Sequence, residues 1–75
     1  MLYYIIYDCN YPNSQIEFVG SFSYEYPNSW HCKENIREAT IFSYSEALYA
    51  FFHIKKLSKR PVYSWLINPR IIIKE

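Results

Sequence analysis

The sequence contains almost no glycine and few cysteines. Gly20 is its one glycine, which excludes the glycine-rich loops that cradle phosphates, because those loops need several small residues for close backbone approach. The two cysteines, Cys9 and Cys32, are too few for a dense disulfide framework. The chain also has no Asn-x-Ser/Thr acceptor for N-glycosylation. We therefore expect reduced thiols and a cytoplasmic location.

Long apolar segments are also missing. The stretch from Met1 to Tyr7 is apolar but short, lacks a basic start and runs into Asp8, so it does not fit a secretory signal. No other apolar run approaches the length of a membrane-spanning helix. We therefore expect no membrane association.

The chain is short but rich in apolar side chains. Its 75 residues predict a single domain over residues 1–75, with a core too small to enclose a deep substrate cavity as well. Hydrophobic residues make up 51% of the chain and aromatic residues 21%. This composition is too hydrophobic for a disordered chain and predicts a packed globular domain.

Charge is distributed unevenly along the chain. Residues 1–38 contain two basic and five acidic side chains, and residues 39–75 contain six basic and two acidic ones, so the halves carry −3 and +4. The formal net charge is +1. These values argue against an acidic mimic of DNA, and they support nucleic-acid binding only weakly.

The first third of the chain predicts a β-hairpin. Residues 2–9 are rich in β-branched and aromatic side chains, which predicts a strand covered on both faces. Residues 11–14 read Tyr-Pro-Asn-Ser and predict a chain reversal, because proline presets the backbone for the first central turn position. Residues 15–23 alternate, with Ile16 and Phe18 on one face, as is typical of a half-buried strand.

The middle of the chain is less regular. Residues 24–38 have no clean period and repeat the sequence Tyr-Pro-Asn-Ser at 26–29. The repeat indicates the same turn chemistry used twice rather than a duplicated recognition element, because the flanking residues do not match. Residues 39–42 predict a short third strand.

Ser43 and Glu46 predict the start of a helix over residues 44–57. In such a capping box the serine hydroxyl accepts from the glutamate amide, and the glutamate carboxylate reaches back. Pro61 prevents the helix from continuing. The apolar stripe that we expect to face the sheet consists of Ala47, Ala50, Phe51, Ile54 and Leu57.

The C-terminal residues predict a final strand with an interruption. Residues 62–67 and 70–74 are extended in pattern, and we expect a bend, bulge or short turn at Asn68 and Pro69, since proline cannot donate to a ladder. The predicted order is β-β-β-α-β. The sequence therefore predicts an α+β domain with one helix packed on one face of a mainly antiparallel sheet.

Residue types used in catalysis and metal binding do not occur in suitable patterns. His31 and Cys32 are neighbours, so they would point to opposite faces of an extended segment, and Cys9 at a strand end suits a small buried apolar position. The two cysteines and two histidines lack the short spacings of a zinc finger. We predict no catalytic residue, no metal site and no cofactor.

Nucleic-acid binding is the alternative that the basic residues favour. They cluster around the predicted helix end, and Tyr63 and Trp65 follow on one face of the next strand, where they could stack on bases. The simpler interpretation is a helix C-terminus with lysines that complement its dipole, followed by core aromatics. The candidate residues are Lys55, Lys56, Lys59, Arg60 and Arg70.

Aromatic side chains are the most informative feature. Nine tyrosines, five phenylalanines and two tryptophans exceed what one small core can hide. Tyr and Trp provide large contact areas at low entropic cost, so we predict a surface that binds a protein, either a host partner or a second copy in a homodimer. The alternative is that the rings pack inside while the hydroxyls reach solvent. The candidate residues are Tyr24, Tyr26 and Trp30 in the loop, with Tyr49 and Phe52 on the helix.

The segment from Ala39 to Leu48 runs from a short strand through a capped helix start. With a preceding hairpin and a final strand, this organisation resembles small orphan accessory proteins of bacteriophages and other mobile elements. Many such proteins bind and inhibit host factors, including CRISPR and other defence components. The resemblance implies an inhibitor that covers a surface of a host protein in the host cytoplasm, and it carries over no functional residue.

Overall fold

The structure is a computed structural model and describes residues 1–10 and 13–75. This part of the chain forms four strands, one α-helix and two single-turn 3₁₀ helices. The 3₁₀ helices span Ile36–Glu38 and Pro61–Tyr63. The other elements are β1 (Leu2–Cys9), β2 (Gln15–Gly20), β3 (His31–Lys33), α1 (Tyr44–Ser58) and β4 (Leu66–Lys74).

The strands form one antiparallel sheet in the order β3-β2-β1-β4, and α1 packs on one of its faces. The predicted α+β class and the order β-β-β-α-β are therefore confirmed. β1 and β2 form the predicted hairpin, with Tyr7 opposite Glu17. The reversal predicted at residues 11–14 includes Tyr11 and Pro12, which lie outside the described residues.

The capping box at the start of α1 is present as predicted. The Glu46 amide donates to Ser43 Oγ at 3.4 Å, and the Ser43 amide donates to Glu46 Oε1 at 3.0 Å. The helix ends one residue later than predicted, and Pro61 begins the 3₁₀ turn that follows.

Within the described residues, no helix combines the length and the apolar character needed to cross a membrane.

The third strand does not lie where the sequence predicts it. Residues 39–42 make only an isolated bridge, in which Phe42 exchanges two backbone hydrogen bonds with Tyr3 at 2.8 and 2.9 Å. The Thr40 amide donates to the Val19 carbonyl at 3.0 Å instead. The segment therefore crosses from β2 to the N-terminal end of β1, and β3 is formed by residues 31–33.

The last strand is shorter at its start than predicted and carries the predicted bulge. Residues 61–63 form a 3₁₀ turn, so the strand begins at Leu66 rather than at Val62. The register with β1 shifts opposite Asn68 and Pro69. Asn68 has a φ of 53°, a left-handed conformation that asparagine tolerates better than most residues.

β2 also ends earlier than predicted, and its buried face is the less apolar one. Ser21 has a φ of 53°, so the chain leaves the extended conformation after Gly20. Val19 and Glu17 lie on the face toward α1 and are buried, whereas Ile16, on the opposite face, is 53% exposed.

The core lies between the sheet and α1. The core residues come from both layers and from the bridging segment: Ile5, Tyr7, Cys9, Val19, Phe42, Ala47, Ala50, Ile54, Leu57 and Leu66.

The space around Gly20 restricts which side chain can occupy this position. A Cβ atom there would lie 2.8 Å from the Glu38 carbonyl oxygen and 2.5 Å from Lys33 Cγ.

Candidate protein-binding surface

The helix α1 has a second apolar side that the sheet does not cover. Its core stripe is as predicted except that Phe51 is only half-buried, at the edge of that stripe. On the outward side Leu48 is 46% exposed and Phe52 is 57% exposed. Because these two residues are four positions apart, they lie on adjacent turns of the same face.

A groove of about 440 Å³ runs along this outward side. Lys56 places its Nζ 4.3 Å from the centroid of the Phe52 ring, and Lys55 places its Nζ 5.7 Å from the centroid of the Phe51 ring. Both distances are within the range of cation–π attraction. We call this feature the α1 groove, and its lining residues are Leu48, Phe51, Phe52, Lys55, Lys56 and Lys59.

The α1 groove is positively charged and has no acidic lining residue. Two ion pairs are present among residues 1–10 and 13–75, one between Lys33 and Glu38 at 3.3 Å and one between Arg70 and Asp8 at 3.2 Å. Neither uses a lysine of the groove. The three groove lysines are therefore available to negative groups from outside the chain.

Two predicted tyrosines lie beside the groove and stack on each other. The Tyr24 and Tyr49 rings are inclined at 30° to each other, with centroids 5.7 Å apart, and both are partly exposed. His53 connects them to the groove, at 4.7 Å from the Tyr49 ring and 6.0 Å from the Phe52 ring. We call Tyr24 and Tyr49 the tyrosine patch.

The tyrosine patch contains one side chain with a shifted pKa, Tyr24, and lies beside another, Glu46. Burial and then the nearby Glu46 carboxylate raise the pKa of the Tyr24 hydroxyl, so it remains a protonated donor at neutral pH. The hydrogen bonds from Ser43, first from its backbone and then from its hydroxyl, lower the pKa of Glu46. Because Glu46 also belongs to the capping box, the tyrosine patch lies beside the N-terminus of α1.

Tyr26 lies in the second Tyr-Pro-Asn-Ser turn. The Ser29 amide donates to the Tyr26 carbonyl at 2.9 Å, which closes the predicted reversal. The Tyr26 amide donates to Ser23 Oγ at 3.3 Å, and the residue is 61% exposed. The turn thus presents the Tyr26 ring to solvent in the loop that also contains Tyr24.

Trp30 is not an exposed loop residue, contrary to the reasoning that placed it on the predicted surface. Its ring is half-buried and packs edge-on against Tyr7, with centroids 5.7 Å apart, and against Trp65 at 6.5 Å. Tyr63 and Trp65 form a ring contact at 5.9 Å and also pack against the core. These rings form a separate group, which we call the inner aromatic cluster: Tyr7, Trp30, Tyr63 and Trp65.

The predicted basic path does not form one continuous surface. The lysines at positions 55, 56 and 59 line the α1 groove, and Arg60 is exposed directly after the helix. Arg70 lies on the sheet face away from α1, opposite Ile6, and donates to Asp8 and to the Asn68 carbonyl. The sheet therefore separates Arg70 from the groove lysines.

A buried hydrogen-bonded pair links β1 and β2 and includes Tyr7 of the inner aromatic cluster. The Tyr7 hydroxyl donates to Glu17 Oε1 at 2.9 Å, and Gln15 Nε2 donates to Glu17 Oε2 at 2.6 Å and to Glu34 Oε1 at 3.1 Å. Sequence reasoning missed this pair. Positions 7 and 17 are each five residues from Pro12 in the sequence, and this spacing could have identified the pair, because residues opposite each other in a hairpin interact.

The two cysteines lie near this pair. Cys9, Glu17, Cys32 and Trp65 line a cavity of about 250 Å³. Desolvation by the surrounding protein raises the pKa of the Cys32 thiol, which disfavours the reactive thiolate at neutral pH. In the described part of the chain, no three His, Cys, Asp or Glu side chains are grouped so that they could hold a metal ion.

No family model, curated protein or solved structure matches this chain.

Proposed function

We propose that this protein is a small, non-catalytic protein-binding module, and that the α1 groove and the tyrosine patch are its contact surface. The observation that supports this most is the second apolar side of α1. The core stripe already provides the helix with a complete contact to the sheet, yet Leu48 and Phe52 remain about half exposed. An additional apolar side on a helix in so small a domain favours a further covering surface.

The composition of the surface also supports a protein partner. Aromatic side chains are enriched at the centres of protein interfaces, and charged side chains lie mostly in their polar rims. Phe52 occupies the middle of such a surface, with Leu48 on one side and the tyrosine patch beyond His53 on the other. The surface therefore combines one candidate anchor with a rim that contains polar groups.

We further propose that the partner is a host protein and that binding inhibits it by covering one of its surfaces. The support for this step is the resemblance to accessory proteins of bacteriophages and mobile elements, whose targets include CRISPR and other defence components. On this proposal the protein acts in the host cytoplasm. Inhibition by occlusion requires affinity alone and no catalytic residue.

Nucleic-acid binding is a second candidate because three lysines line the α1 groove together with Phe52. Two observations disfavour it: Arg70 lies on the far face of the sheet, and Tyr63 and Trp65 pack against the core instead of presenting free faces for stacking. The two candidates differ in salt dependence, since phosphate contacts lose affinity steeply as salt increases.

The test isolates the partner from cells in which this gene acts and measures its affinity for three folded variants. We expect Leu48→Ala and Phe52→Ala each to weaken binding, with the phenylalanine variant losing about thirtyfold, which corresponds to truncation of a central anchor. Val62→Ala is the matched control, because Val62 is 74% exposed and lies outside the proposed surface. Wild-type affinity in both helix variants would contradict the proposal.

A further inference from the structure

We infer that the α1 groove binds a partner segment in which an apolar anchor is followed by acidic side chains. The inference rests on the proposed function, because it specifies the chemistry of the protein that the module binds. It concerns the groove alone and makes no use of the tyrosine patch.

The groove changes in character along the helix axis. Leu48 and Phe52 form its apolar end, and Lys55 and Lys59 form its cationic end. Seven residues separate Leu48 from Lys55, which corresponds to about 10 Å along a helix at its usual rise. A matching ligand therefore places its apolar anchor toward Leu48 and its carboxylates toward the C-terminal end of α1, within the length that these two positions span.

No acidic side chain of the described residues forms an ion pair with the lysines of the groove. Lys55 and Lys59 are four positions apart, an arrangement in which like charges on a helix repel. No carboxylate lines the groove, and neither of the two ion pairs involves its lysines. Acidic groups from a partner would relieve this repulsion and complete the cationic end, whereas a neutral apolar partner would bury it at a cost.

The position of the lysines favours a protein ligand over a nucleic acid. Lys56 lies over the Phe52 ring at 4.3 Å, and Lys55 lies over the Phe51 ring at 5.7 Å. Base stacking requires an open ring face, and these ammonium groups occupy the faces that a base would use. When a partner carboxylate binds Lys56, the aliphatic side chains next to that carboxylate can contact Leu48 and the edge of the Phe52 ring. Charged and apolar contacts then act together.

A peptide library displayed on yeast provides the probe. The native protein selects binders, and each binder is then measured against a Lys55→Gln, Lys56→Gln, Lys59→Gln triple variant. We expect the binders to combine acidic residues with an aliphatic or aromatic anchor. The triple variant is expected to bind them about tenfold more weakly, as three partly exposed ion pairs imply. Lys74→Gln, a lysine on the sheet face away from α1, is the matched control and should have no effect.

Two further variants separate the inference from the proposed function. Replacement of the three lysines by arginine should retain binding, because charge is preserved. If the binders lack acidic residues, or lose affinity with Phe52→Ala but not with the triple glutamine variant, the inference is wrong and the proposed function stands. If no binder depends on either Phe52 or the lysines, both are wrong. Tighter binding of an oligothymidine strand than of any selected peptide, dependent on the same lysines, would also overturn the inference.

Discussion

The inner and outer sides of α1 differ in how far folding covers their apolar residues. The inner side contains Ala47 and Ala50, both fully buried, and these small residues let the helix lie close to the sheet. The outer side contains Leu48 and Phe52, which are large and about half exposed, followed by lysines. Folding therefore buries the two alanines together with Ile54 and Leu57, and it leaves the outer residues partly in contact with water. Apolar area that folding does not use is available for association.

Phe42 and Phe52 test this difference most strongly, because they are the same residue in the two environments. Phe42 is fully buried against the inner side of α1, and Phe52 is 57% exposed on the outer side. We expect Phe42→Ala to lower the free energy of unfolding by about 3–5 kcal/mol, enough to unfold much of a domain of this size. Phe52→Ala should cost less than about 1 kcal/mol. Urea denaturation of both variants measures the difference, and equal losses would show that Phe52 belongs to the core.

Trp30→Ala should have an intermediate effect. The ring packs against Tyr7 and Trp65 but is only half-buried, so we expect a loss of about 2 kcal/mol in the free energy of unfolding. Partner affinity, measured under conditions where the variant is folded, should change little. A variant with native stability but lost binding would instead return Trp30 to the contact surface that the sequence predicts.

Ser43→Ala should have the smallest effect, about 1 kcal/mol in the free energy of unfolding, because it removes the side-chain cap of α1. The hydrogen bonds from Ser43 lower the pKa of Glu46. Glu46 therefore contributes its full stabilisation at pH values above the ordinary pKa of glutamate. It loses this stabilisation as the pH falls through its lower pKa in the folded state. Titration of Glu46 by NMR should show its pKa rising toward the ordinary value in the variant. An unchanged pKa would mean that the backbone hydrogen bond alone sets it.

Local signals predicted the elements that depend on neighbouring residues. The capping box located α1, and the 3.6-residue period separated its inner stripe from Tyr49 and Phe52. β1 was predicted over its observed range because eight consecutive residues favour an extended chain. The bulge at Asn68 and Pro69 followed from the missing proline amide.

The features that sequence reasoning missed depend on distant residues. β3 has only three residues and pairs with β2 across a long loop, so no local period identifies it. Trp30 is packed by Trp65, which is far away in sequence, and a loop position alone cannot reveal that contact. The sequence places Phe52 among the candidate partner-binding residues and the helix lysines among the candidate nucleic-acid-binding residues, and it does not predict that they line one groove. The contact of Lys56 with the Phe52 ring is different, because these residues are four positions apart on one helix and the sequence could have predicted it.

Gly20 limits how this sequence can vary. It needs no special backbone angle, since no glycine with positive φ occurs among the described residues, but a side chain there would meet the Glu38 carbonyl oxygen. A flexible lysine can move away from a new methyl group, whereas a backbone carbonyl moves only with its whole turn. Mutational drift at this position is therefore restricted by a segment eighteen residues downstream, and a compensating change would have to occur in the 3₁₀ turn rather than in β2.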